Sequence, residues 1–385
     1  MTSCSSSGKN TKCTNDTRRD NHDETSKTCD DALKLPLTFN HCLNHRVKTT
    51  HATDTMHYPG LLVGFAALAA TSFGSEARKN AAQPILFAAT HTRDDGWMVG
   101  TGKGVYTFKF DTSEGSLTPF GVTSVGVNPV YVQDSTKQFS GGKPVLYAAT
   151  AVTDESKVYP GTQTGYVSAL TLRLDGTLEL LNTMESHGGN PTHISLGPND
   201  DFIVVSNYDG SLSMFSLNED GSLTNETFHQ EFPTGSKAYE LDTAKRTLET
   251  LQTVYRPAGS GPRHMAVHPS GGIAYVVDEI ANTVGVYKID TETKLLSSTA
   301  AQNITTLPSD FTNASTAADI HLTANGKFLY ASNRGHNSIA MFAVHEADGT
   351  LTSLDWENSR GKTPKSFAIY EDWLIGPTKT RTACT

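Results

Sequence analysis

At 385 residues the chain is long enough for two ordinary domains or for one large ring of β-structure. Its formal net charge of −9 argues against the basic face that a nucleic-acid partner requires. No apolar run reaches the ~18 residues of a membrane-spanning helix. With 37% hydrophobic residues, 32 glycines and no long amphipathic period, the composition fits many short strands joined by turns.

Residues 1–55 are rich in Ser, Thr, Asn, Asp and Lys without an apolar period, which predicts a disordered polar leader. Cys4, Cys13, Cys29 and Cys42 fall in this leader and Cys384 is the penultimate residue, so nothing between Cys42 and Cys384 can form a disulfide. The cysteine spacing suggests no zinc site, and no metal or cofactor is expected. Residues 56–77 follow with an apolar run from Leu61 to Ala70 and a small-residue end at Ser75-Glu76-Ala77. That order is a candidate signal peptide, although its n-region from Met56 to Gly60 has no Lys or Arg. If translation starts at Met56 the protein is expected to be secreted; otherwise a cytoplasmic location is expected. Sequons at Asn225, Asn303 and Asn313 agree with secretion.

From residue 83 to 385 one strand-and-turn grammar recurs. Partial copies run from Ile85 to Leu117 and from Asn128 to Leu178. Three later segments superimpose without gaps: residues 191–208, 262–279 and 317–334. Each reads as a strand, a turn (Pro-Asn-Asp, Pro-Ser-Gly or Ala-Asn-Gly) and a second strand. A third strand is predicted at Ser211–Leu217, Thr283–Ile289 and Ser338–Val344, and a fourth is seeded by Gly221-Ser-Leu, Thr293-Lys-Leu and Gly349-Thr-Leu. Thr363-Pro-Lys-Ser-Phe-Ala-Ile369 begins another copy. Four antiparallel strands repeating every ~45–60 residues predict an all-β propeller of four-stranded blades. A β-sandwich would not repeat one grammar so closely.

In such a blade the first strand lies innermost and the second runs back beside it. Residues just before strand one and just after strand two therefore meet on one rim, near the central channel, where ligand sites commonly form. Those positions hold His193 with Asn207 and Tyr208, Arg263 and His264 with Glu279, and Asp319 and His321 with Arg334. Two arginines, a glutamate and several imidazoles suit a small anionic substrate with a carbonyl. Arg263 and Arg334 offer planar donor forks. Glu279, ionised between them, could activate water or remove a proton, and His193 or His264 could relay protons. Such a set could open a lactone or close one from a dicarboxylate. The plainer alternative is an Arg263–Glu279 structural salt bridge. His91 and His268 read as turn or surface residues, and Pro198 and Pro269 as turn formers. Nucleotide-binding, serine-hydrolase and metalloprotease signatures are absent from the sequence.

Gly261-Pro-Arg-His-Met-Ala-Val-His-Pro269 with Ala274-Tyr-Val-Val-Asp-Glu279, and Ala318-Asp-Ile-His321 with Phe328-Leu-Tyr-Ala-Ser-Asn-Arg-Gly335, resemble the seven-bladed lactonase propellers. That family includes 6-phosphogluconolactonases and fungal carboxy-cis,cis-muconate cyclases. The resemblance covers about residues 83–370 and implies that Arg263, Glu279 and Arg334 line an active site. It also implies a full fourth blade with a Pro-His-x-His motif, for which the interval from Leu223 to Gly261 is too short. Lys237–Leu248 resembles only the outer end of that blade. After Ile369 the expected strands give way to Tyr370-Glu-Asp-Trp-Leu-Ile, so a truncated last blade and exposed strand edges are also expected.

Overall fold

A computed structural model describes residues 70–71, 83–376 except 94–99, 136, 141, 152–163, 198, 232–235, 243–244 and 246, and residues 380–381. The remainder of the leader and of the 56–77 segment, Pro198 and Cys384 lie outside the described residues. Among the described residues no helix is long and apolar enough to cross a membrane.

The molecule is an all-β propeller, and its described residues form five antiparallel four-stranded sheets. The first comprises Ala70–Thr71, Ile85–Ala89, Val105–Asp111 and Ser116–Thr123; the second, Pro129–Asp134, Val145–Thr150, Tyr166–Leu172 and Leu178–Glu185. The third, the Pro191 blade, comprises Pro191–Leu196, Phe202–Asn207, Ser211–Leu217 and Leu223–Glu231. The Pro262 blade holds Pro262–Val267, Ile273–Asp278, Thr283–Lys288 and Gln302–Thr305. The Thr316 blade holds Thr316–Leu322, Phe328–Arg334, Ser338–Val344 and Leu351–Asn358. Second strands such as Val145–Thr150 are buried throughout, as expected for strands sandwiched between sheets. Fourth strands such as Leu223–Glu231 alternate between partly covered and exposed positions, as expected at the outer edge.

One predicted strand is displaced. Thr293-Lys-Leu forms a turn closed by the Ile289–Leu296 bridge, and the fourth strand of the Pro262 blade begins only at Gln302.

Neighbouring blades are joined by apolar clusters and by repeated polar fasteners. Tyr147 Oη donates to Gly221 O and Tyr275 Oη to Gly349 O, each at 2.9 Å. In each bond a second-strand tyrosine reaches the glycine turn of the next blade. A side-chain amide on an outer strand also pairs with both backbone groups of a leucine in the following blade. Asn182 does so with Leu223, Gln252 with Leu296 and Gln302 with Leu351.

This second device identifies the short element between the Pro191 and Pro262 blades. Ser236–Asp242 and Thr247–Val254 form a two-stranded sheet, and Gln252 acts as the outer-strand residues Asn182 and Gln302 do. The element is therefore an outer hairpin, in line with the reading of 237–248. With no inner strand between them, His193 and His264 bring their rings to 6.4 Å.

The last element differs from expectation more clearly. Ala368–Tyr370 and Trp373–Ile375 pair as a hairpin, with Glu371 adopting a positive φ of 50° without a glycine. One face packs on Leu86, Ala88 and Phe110 of the first blade, the other on Tyr330 and Ile339 of the Thr316 blade. Trp373 Nε1 donates to Thr112 O at 2.9 Å, the counterpart of the tyrosine fasteners. Gly361–Lys362 pairs with Thr380–Arg381 beside it, and the hairpin bridges the Thr316 blade and the first blade.

Candidate active site

The inner strands share a start. The residue before the strand takes a left-handed backbone at Asn128, Asn190, Gly261 and Thr363, and a proline follows each. Just inside the strand the pairing register slips, between Pro129 and Tyr131, opposite Ser206–Asn207, between Pro262 and His264, and between Ala317 and Ile320. Such bulges re-aim a side chain and are common beside active sites. Arg263 therefore sits inside its strand at the bulge rather than before it, as the sequence reading placed it.

Glu279 follows the second strand of the Pro262 blade. Its backbone is fixed by its own amide donating to Gly261 O at 2.6 Å and by Ala317 N donating to its carbonyl at 3.0 Å. Arg263 Nη1 donates to Glu279 Oε2 at 3.1 Å, and Arg334 Nη2 to Oε1 at 2.5 Å and to Ala317 O at 3.0 Å. The Glu279 side chain keeps 29% of its surface exposed, so one face remains open. Burial disfavours its charge, but the two guanidiniums outweigh this and hold the carboxyl below the usual range. Burial, with Arg334 as a second cation nearby, pulls the Arg263 pKa down.

Lys365, which the sequence reading quoted without assigning a role, joins this group. It stands just before the last hairpin, at the place Arg263 occupies in its own blade, second after a left-handed residue and next after a proline. Burial, then Arg263 and Arg334, push its ammonium down to about 8, with Glu279 opposing. The matching Thr363-Pro-Lys and Gly261-Pro-Arg spacings were the signal that could have found it.

A buried belt runs through the inner strands, from Tyr131, His193 and His264, each third in its strand, to Asp319, fourth in Thr316–Leu322. Tyr131 Oη and His193 Nε2 are 3.0 Å apart. Burial holds His193 well below its ordinary pKa, so the ring is neutral. Asp319, with no exposed side-chain surface, pairs with His321 at 3.1 Å and accepts the Phe367 amide at 3.0 Å. Burial opposes both charges, yet the pair wins: the Asp319 pKa falls and the His321 pKa rises.

The structure thus gathers Glu279, Arg263 and Arg334 in direct contact, with His264 and His193 buried nearby. The other expected substrate contacts are engaged differently. Asn207 is buried and donates to Ser186 O and Ser211 Oγ, bracing its blade. Asp319 and His321 anchor the last hairpin, because Asp319 is sealed from solvent. Tyr208 does follow its second strand as Glu279 does, but its residue is 74% exposed on the rim. His268 lies in a turn against Ser270.

A family model described as "Lactonase, 7-bladed beta-propeller" matches residues 85–238 and 237–376, most of the chain. The chain belongs to the seven-bladed β-propeller lactonase family. The two lactonase matches meet inside Ser236–Asp242, where the fourth blade is reduced to its outer hairpin. The chain is 28% identical over 322 residues to the 6-phosphogluconolactonase of Bacillus subtilis, covering 74% of this chain and 84% of that protein. It is 26% identical to the 6-phosphogluconolactonase of Formosa agariphila, covering 70% and 82%. A crystal structure of a protein from Lactobacillus plantarum superimposes with a TM-score of 0.64 at 25% identity, covering 75% of this chain and 86% of that one.

Proposed function

We propose that this protein hydrolyses an anionic sugar lactone of the 6-phosphogluconolactone type, on one rim of its propeller. The observation that carries the reading is the Glu279 carboxylate gripped by Arg263 and Arg334 while one face stays open. A water on that face is held by an ionised acceptor and directed at the lactone carbonyl. Its oxygen bonds to the carbonyl carbon, and Glu279 takes the proton. The negative charge gathering on the carbonyl oxygen is stabilised by the guanidiniums. Collapse of the adduct breaks the ring C–O bond, and the departing alkoxide regains a proton, giving the hydroxy acid. Names of relatives that share most of the chain support the substrate class.

The test is hydrolysis of 6-phosphogluconolactone by wild type and Glu279→Gln, corrected for spontaneous opening. Equal rates would remove Glu279 from the chemistry. Secretion from Met56 stays part of the reading, and N-terminal sequencing of the purified protein tests it. A retained segment would keep Ala70–Thr71 as the inner strand of the first blade.

A further inference from the structure

Each arginine commits one nitrogen to Glu279, but their remaining donors are not all used. The Nε atoms of Arg263 and Arg334 are buried and have no hydrogen-bond partner among the described residues. The Lys365 ammonium makes no hydrogen bond or close ion pair with any described residue, although its charge is felt by Arg263, Arg334 and Glu279. Three cations thus converge around one carboxylate, and a buried donor without an acceptor costs about 1–3 kcal/mol. Clustering of this kind is retained where a ligand completes it.

The fold takes trouble to place Lys365. Thr363, a β-branched residue, is held at a φ of 58°, a conformation such residues rarely adopt. Its amide donates to Asn337 Oδ1 at 2.8 Å, which pins it there. Two residues beyond the lysine, the Phe367 amide is pinned by Asp319, and the Phe367 ring stands edge-on to His321 at 4.7 Å. Strain that survives only because neighbours over-determine it tends to mark functional positions. The equivalent position in the blade between Arg263 and Lys365 is Ala318, fully buried and too small to obstruct. Two cations at matching positions therefore flank an alanine, with Arg334 at the end of the adjoining strand.

We propose that Lys365 is a substrate-binding residue, the cation that takes the anionic group of the ligand while Arg263 and Arg334 hold Glu279. The proposal rests on the reading of this rim as the substrate site and assigns the 363–376 segment a part in it. A phosphate or a carboxylate would satisfy the lysine. Arginine at 365 would keep the charge; methionine would keep the length and lose it.

Calorimetric titration of the full chain at pH 7 with inorganic phosphate, and separately with gluconate, tests this. The expected result is a loss of affinity of about ten-fold or more for at least one anion in Lys365→Met, with Lys365→Arg within about three-fold of wild type. The anion that loses affinity identifies the group the lysine reads. Unchanged dissociation constants for both anions in Lys365→Met would overturn the proposal. So would absent binding by the wild type, or a Lys365→Arg as weak as the methionine variant. Thermal melting confirms that both variants are folded. Lysine-dependent anion binding without lactone hydrolysis would defeat the proposed reaction and leave this inference intact.

Discussion

Arg334 crosses a blade boundary to bond Glu279, its Nη2 standing 2.5 Å from Oε1 while the same nitrogen holds Ala317 O. The carboxylate and the guanidinium come from different blades, so the site forms only when the blades pack. The ion pair is at once a fastener between sheets and the frame of the site. Replacing Glu279 by glutamine keeps the shape and an acceptor oxygen but removes the charge. Hydrolysis is expected to fall ~10²–10⁴-fold, the range for a lost general base. Steady-state rates across a substrate series check this, with the loss expected in kcat rather than in KM.

Anion affinity should depend on pH through Lys365. The groups around it are Arg263 on its inner strand, Glu279, Arg334 and, deeper, His264, Asp319 and His321. The unliganded lysine titrates at about 8, so it is charged at neutral pH and loses its proton above that. Phosphate affinity in the wild type should decline above pH 8, by up to about ten-fold per pH unit. Lys365→Arg, whose charge persists, should show no such decline. A flat wild-type profile between pH 7 and 9.5 would contradict the assignment.

The same lysine should cost stability. Its folded pKa lies below the unfolded 10.5, so the folded chain binds fewer protons between pH 8 and 10.5. Stability should therefore rise with pH through that window and be at its lower plateau below pH 8. Lys365→Met should flatten this dependence and raise stability at pH 7 by roughly 1–3 kcal/mol, an exchange of stability against function common at active sites. Denaturant titrations at pH 7 and 10 measure both effects.

Most of the blade pattern was legible because each strand carries its own apolar run and each turn its own Asn, Asp or Gly. Ser211–Leu217 and Ser338–Val344 occur as read. Thr293-Lys-Leu misled because the same turn grammar serves a non-strand excursion before Gln302. Arg263, Glu279 and Arg334 could be found by register, since each sits at a strand end repeated elsewhere. Lys365 and Trp373 could not be found so easily. Their hairpin has strands of only three residues each, and its turn, Glu371-Asp372, has no glycine to announce it. The uses of Asn207, Asp319 and His321 depend on burial and on a neighbour from another blade, which periodicity along one strand does not contain.

Asp319→Asn should show how the belt secures the last hairpin. The carboxylate accepts from Ile320 N, Phe367 N and His321, with no exposed surface. Breaking a buried pair of this kind costs about 3–5 kcal/mol. The sign follows from the lowered folded pKa of Asp319: its contribution is present above the unfolded value of 3.8 and lost as pH falls through the folded one. The gap between wild type and variant should thus narrow in acid. The raised His321 pKa adds stability that is full below 6.5 and lost as pH rises through the folded value. Equal pH profiles for the two proteins would show that the pair is not what the carboxylate contributes.

Ring closure depends on Trp373. Its ring meets Phe110 edge-on at 5.8 Å, and its indole donates to Thr112 O in the turn of the first blade. Gly115 in that turn has a φ of 69°, and a Cβ there would stand 1.9 Å from Trp373 Cζ3. The glycine and the tryptophan therefore fit as a pair, one by lacking a side chain and the other by filling the space. Trp373→Ala removes a buried aromatic and its indole bond to the first blade, and should cost about 3–5 kcal/mol. Gly115→Ala should destabilise as well, through both the clash and the left-handed backbone. Because Lys365 stands just before the hairpin, each variant should weaken phosphate binding in proportion to how far the hairpin detaches. Hydrogen exchange localised to residues 363–376, compared between wild type and Trp373→Ala, follows that detachment directly. Protection left unchanged there, with the melting point lowered, would place the loss in the first blade instead of the closure.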